Sequence, residues 1–134
     1  MTSTTRTRPC TPVNARARLK AALAYLKASE IILAEDRDEF ASVAAGLAVL
    51  AGIAACDAIC CKGVGRRARG DDHREAADLV KTASTQGARH RVLLIRLLEL
   101  KDQAHYGFFD VSGVKASRAV SAARELVAGA QKFL

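Results

Sequence analysis

Between Phe40 and Cys56 the chain carries a single polar side chain, Ser42. Such a run is close to the length that crosses a bilayer as a helix. It is rich in alanine, however, and so only mildly hydrophobic, and Asp57 follows before the apolar pattern stops. No second run of this kind follows it. A helix that is apolar on all sides belongs at the centre of a bundle, and small side chains let its neighbours approach closely. The run therefore predicts a buried central helix from about Asp38 to Lys62, with no membrane span, and the other elements must be arranged around it.

Helical patterns flank this run. Leu19, Leu23, Leu26 and Leu33, with Ala22 beside them, form a stripe that begins near Asn14 and ends at the charged link Glu35-Asp36-Arg37-Asp38. Beyond a loop at 63–70, Asp72 and Glu75 have the spacing of a capping box. Ala76, Leu79, Val80 and Ala83 then share one face of a third helix. Ser84 to Gly87 reads as a connection. A fourth helix over about 88–106 turns Leu93, Leu97, Leu100 and Ala104 to the core, and Gly107 suits the left-handed residue that ends a helix. Ala116, Val120, Ala123, Val127 and Ala130 mark a last helix starting at Val111 or Ser112. No stretch alternates with a period of two, so no sheet is expected. The reading is an all-α protein, an antiparallel up-and-down bundle of four to five helices over 13–134, behind a disordered basic tail over 1–12.

The formal net charge is +7, and it is unevenly placed. Arg6, Arg8, Arg16, Arg18 and Lys20 stand without an acid among them, and Lys62, Arg66, Arg67, Arg69 and Arg74 outnumber Asp71 and Asp72. Basic clusters of this kind suit a polyanion or an acidic partner. The four cysteines are Cys10, Cys56, Cys60 and Cys61. Cys60 and Cys61 point different ways on a helix, which argues against a local disulfide, and small buried thiols account for Cys56 and Cys60. The polar N-terminus has no secretory pattern, so a reducing cytoplasm is expected. The cysteine and histidine spacings fit no zinc pattern, and no metal or other cofactor is expected.

The chemistry concentrates in Leu-Lys-Asp-Gln-Ala-His-Tyr-Gly at 100–107. Residues four apart share a helix face, so Lys101 lies beneath His105 and Asp102 beneath Tyr106. Lys101 suits a phosphate, and a neutral His105 suits proton transfer. Asp57, a lone carboxylate in an apolar helix, needs a partner. Either it pairs with an arginine of the 66–69 loop, or it orients His105 or a ligand. Arg66, Arg67 and Arg69, with His73 beside them, are candidate phosphate contacts. The loop is not a P-loop, because the glycine order and the following Lys-Ser/Thr are missing. His90, between Arg89 and Arg91, reads as part of a solvated helix face. Neither a Ser-His-Asp order nor a dinucleotide fingerprint is present.

Taken together, the alanine-rich helix running into Asp57-Ala-Ile-Cys-Cys, the basic glycine loop, Asp72-His73-Arg-Glu-Ala and the late Lys-Asp-Gln-Ala-His105-Tyr-Gly resemble a small actinobacterial-type HEPN-domain protein over roughly 14–133. The resemblance implies a helical bundle that forms a homodimer. It implies RNA binding or metal-independent ribonuclease activity, with a toxin role beside a nucleotidyltransferase antitoxin. It places His105 at the family histidine, with Tyr106 beside it. The family's arginine, separated from that histidine by four to six intervening residues, would fall at Leu98, Glu99 or Leu100 and has no counterpart; Lys101, closer to the histidine, is the substitute cation. The alternative is a catalytically silent helical module that binds a nucleotidyltransferase or another protein.

Overall fold

The computed structural model describes residues 7–69, 73–107 and 110–134. Its elements are β1 (Thr7–Pro9), α1 (Pro12–Leu33), α2 (Asp38–Val64), β2 (Arg66–Ala68), α3 (His73–Ala83), α4 (Gly87–Tyr106) and α5 (Gly113–Phe133). The all-α reading holds: the helices form a bundle, and the only strands among the described residues are the two three-residue pieces.

Helix α1 starts earlier than its leucine stripe suggests. Thr11 accepts from the Asn14 N–H, and Asn14 answers by accepting from the Thr11 N–H. Pro12 occupies the first helical turn, where its missing N–H costs nothing. Ala22 and Leu26 face inward, while Leu23 is exposed. Helix α2 is the central element. By length and composition it could cross a membrane, but 72% of its most apolar window lies inside the fold. Alanines 44, 45, 48, 51, 54, 55 and 58 are fully buried there, which lets α1, α4 and α5 close around it. Gly52 marks a close crossing, where a Cβ would collide with Leu97 of α4 and stand 3.3 Å from Leu126 of α5. Gly65 ends α2 with φ 68°, the left-handed conformation that glycine adopts freely.

Ser42, the one polar residue of the run, accepts the Val111 N–H at 2.7 Å. It thereby anchors the segment between α4 and α5. The five stripe residues of α5, Ala116 through Ala130, are all buried, as are Ala76, Val80 and Ala83 of α3. Asp72 lies outside the described residues, so the proposed capping box is not among the described features.

Three expectations are corrected. First, a small antiparallel sheet exists, pairing Thr7 with Ala68, Arg8 with Arg67 and Pro9 with Arg66. Its strands are too short for an alternation to register. Second, residues 7–12 are not a loose tail. Besides the strand pairing, Arg66 donates to the Thr7 hydroxyl at 2.7 Å and to its carbonyl at 3.1 Å, and a Cys10–Cys61 disulfide closes the segment, with Cα atoms 5.4 Å apart. The pairing spans 51 residues, so consideration of neighbouring cysteines misses it. Cys56 and Cys60 are buried free thiols, as expected. Third, Gly107 is extended, with φ −72° and ψ 152°. It is glycine for room: a Cβ there would lie 2.6 Å from the Gln103 carbonyl oxygen.

Candidate functional site

Helix α4 ends in the turn that carries Lys101, His105 and Tyr106. Gly107 closes it through its N–H to the Gln103 carbonyl at 3.1 Å. His105 is exposed and rests on Gly46 of α2, where a Cβ would come within 3.4 Å of its Nε2. The imidazole thus lies against the central helix at Gly46. Tyr106 is 76% exposed, its ring 6.1 Å from that of His105 and tilted by 43°. Phe108 and Phe109 lie outside the described residues.

Lys101 opens one turn earlier onto a groove of about 600 Å³ between α3 and α4. His73, Arg74 and Arg91 line it with Lys101, against Asp78, Glu99 and Asp102. Arg91 pairs with Asp78 at 3.5 Å across the groove. Short α3 starts opposite the second half of α4, and His105 and Tyr106 in the last turn of α4 are exposed. The groove balances Arg74, Arg91 and Lys101 against Asp78, Glu99 and Asp102, and the exposed imidazole and phenol stand about one helical turn beyond Lys101. Lys101 with that imidazole suits contact with a phosphodiester and proton transfer at its edge.

Asp57 does not join His105. Gly46 and Asp57 are eleven residues apart on α2, three helical turns, so they lie on the same side of the helix about 16 Å from one another along its axis. The Asp57 carboxylate pairs instead with Arg18 of α1, whose Nε and Nη2 both reach Oδ2 at 3.2 Å. The partner is an α1 arginine, although the loop's Arg67 stands near enough to act on the carboxylate electrostatically. Burial raises the Asp57 pKa, and Arg18 and then Arg67 oppose the rise. These side chains and Pro9, Asn14, Ala17 and Ile53 bound a cleft of about 480 Å³ beneath the N-terminal ribbon.

The loop arginines divide by role. Arg66 is committed to Thr7. Arg67 faces the cleft, and its side chain's one hydrogen bond among the described residues is a long contact to the Ala68 carbonyl at 3.4 Å. Arg69 is exposed. His73 lines the α3–α4 groove, not the cleft. Among the described residues, no group of three or more His, Cys, Asp or Glu side chains converges as metal ligands do.

His90 departs from its reading. It is 5% exposed, and its Nδ1 is sealed without a hydrogen bond. Gly129 of α5 makes the space it fills. The flanking arginines suggested solvent, but His90 itself points inward, and only the glycine thirty-nine positions later explains why. A further groove of about 670 Å³ between α4 and α5 also went unread in the sequence. Leu93, Leu97 and Leu100 form its floor, with Arg96, Lys115 and Arg118 along its rim.

No family model matches the chain, and no curated protein matches it. The HEPN resemblance accordingly rests on the quoted motifs.

Proposed function

We propose that this protein is a HEPN-type RNA-binding bundle that cleaves RNA without a metal ion, in the manner of a toxin. The observation that carries the reading is Lys101 set one helical turn before the exposed His105 and Tyr106 at the end of α4. In this reading Lys101 holds the phosphate as a point charge. It lacks the planar fork with which arginine grips two oxygens, so phosphate is held less rigidly. His105 is the general acid or base at the 2′-hydroxyl or the leaving oxygen, and Tyr106 contacts the RNA beside it. Arg67 and Arg69 attract the polyanion. Asp57 acts on a different part of the ligand, three turns away. A homodimer would bring two such faces to one cleft, and Val43, 48% exposed one turn before Gly46, offers apolar surface there.

The test is RNA cleavage in EDTA by the full chain, His105→Ala and Lys101→Ala. Loss of the imidazole is expected to lower the rate by about a hundredfold or more, with helicity unchanged. Loss of Lys101 should weaken binding and flatten its salt dependence. Cleavage unaltered by His105→Ala would remove the mechanism.

A second reading is favoured by the apolar floor and basic rim of the α4–α5 groove. There the protein is a catalytically silent module that binds a nucleotidyltransferase or another partner through its helices. RNA binding and cleavage both absent from clean protein would favour this reading.

A further inference from the structure

The cleft beneath the N-terminal ribbon holds charges that the packing of the bundle does not require. Arg18 addresses only Oδ2 of Asp57. Oδ1 has no hydrogen bond among the described residues, yet it is not among the atoms sealed from solvent. Arg67 is half-buried at the same cleft and uses one N–H, weakly, on the Ala68 carbonyl. An available carboxylate oxygen and an under-used guanidinium thus face a space of about 480 Å³, with Pro9 and Ile53 as apolar walls.

Arg18 and Arg67 outnumber Asp57 in the cleft, and the groups left to a ligand are one carboxylate oxygen, with two lone pairs, and the Arg67 guanidinium. The ligand edge that meets both presents two N–H donors next to a carbonyl acceptor. Guanine has this edge: N1–H and N2–H beside O6, with N7 one position further. Arginine on O6 and N7 is the commonest specific base contact. Adenine has no carbonyl, and uracil and cytosine each offer a donor from only one nitrogen. Pro9 and Ile53 in the lining offer the ring apolar contact.

We infer that the cleft formed by Arg18, Asp57 and Arg67 binds a guanine base, with Asp57 Oδ1 accepting from the N–H edge and Arg67 donating to O6. The base comes from a free nucleotide or from RNA. The RNA case rests on the function proposed above and makes the cleft a specificity site a few nucleotides from His105.

The experiment is calorimetric titration of the full chain, disulfide intact, with GMP, AMP, CMP and UMP in turn. A parallel arm uses short RNAs with one guanosine or none. GMP is expected to bind at least about tenfold tighter than the other three. Asp57→Asn and Arg67→Gln should each erase that preference while circular dichroism stays unchanged. Arg67 sits on the short ribbon, so its variant tests the cleft even where the Asp57 change disturbs the bundle. Preference for guanosine in RNA without saturation by GMP assigns the base to RNA, and saturation by both admits either source. Equal affinities for all four nucleotides together with indifference to guanosine in RNA overturn the inference, as does a preference that survives both variants. RNA binding retained without guanosine preference removes the cleft alone. Loss of all RNA binding removes the proposed function, while the GMP arm still judges the cleft.

Discussion

His90 of α4 presents the Nε2 edge of its ring to Gly129 of α5, where a Cβ would stand 2.7 Å from Nε2. The ring is almost wholly buried, and Nδ1 has no acceptor within reach. Burial lowers its pKa below the usual 6.5, against a smaller upward pull from Glu125. Glu125 is itself engaged by Arg89 at 2.8 and 3.0 Å. The unfolded chain therefore binds this proton at a pH where the folded one does not. The stabilisation is complete above pH 6.5 and is lost as pH falls below it, with a slope no steeper than about 1.4 kcal/mol per pH unit. Urea midpoints should be lower at pH 5.5 than at pH 7.5, and His90→Gln should reduce that difference. A wild-type midpoint that rises on acidification contradicts the assignment.

Gly52→Ala tests the central crossing. Helix propensity favours alanine by about 1 kcal/mol. Here the added methyl enters the space of Leu97 and crowds Leu126, and overpacking costs about 1–3 kcal/mol. A net loss of stability is expected. Leu97→Ala alone should cost about 2–5 kcal/mol through its cavity. Because the two changes share one space, the double variant should lose less than the sum of the two. Strict additivity in urea unfolding would show that the two residues do not meet.

How far the sequence carries depends on the range of the interaction. The apolar run and the four-three spacing of Ala116 to Ala130 are properties of single helices, and they placed α2 and α5 correctly. The link at 35–38 and the turn after Tyr106 were legible from charge and glycine. Cys10 with Cys61, His90 with Gly129, and Asp57 with Arg18 are pairings across the fold, set by where helices cross. A pattern confined to one helix contains no signal for them. Asp57 signalled a need for a partner without saying which cation would supply it. The separation of Asp57 from His105 follows only once Gly46 is known to be the residue beneath the imidazole.

Ser42→Ala asks what the one polar residue of the apolar run contributes. Its hydroxyl accepts the N–H of Val111, a residue 1% exposed. Alanine keeps the helix and removes the acceptor, leaving a part-buried N–H unsatisfied at a cost of about 1–3 kcal/mol. Hydrogen exchange at Val111 should accelerate more than at the α5 core positions Val120 and Val127. Equal acceleration across all three would mean that Ser42 supports the bundle as a whole.

Cys10→Ser isolates the covalent tie of the N-terminal segment. Closing a 51-residue separation restricts the unfolded chain by about 4 kcal/mol in the loop-entropy account, and measured values commonly fall at 2–4. The variant, and the wild type under reductant, should lose stability in that range. The ribbon should loosen first, because without the disulfide residues 7–10 are held by a three-residue pairing, the Arg66 contacts and the Cys10 N–H to Gly65. The other two thiols should remain silent: Cys56 is raised well above the ordinary thiol value by burial, and Cys60 is pushed up to about 12. Alkylation of the folded, oxidised protein should therefore label no cysteine quickly, and after mild reduction Cys10 should label first. Rapid labelling of Cys56 or Cys60 before any loss of helicity would contradict their burial. Unchanged stability on reduction would mean that the ribbon holds its place without the bond. Applied to protein quenched by alkylation inside the producing cell, the same labelling reports whether the bond forms there.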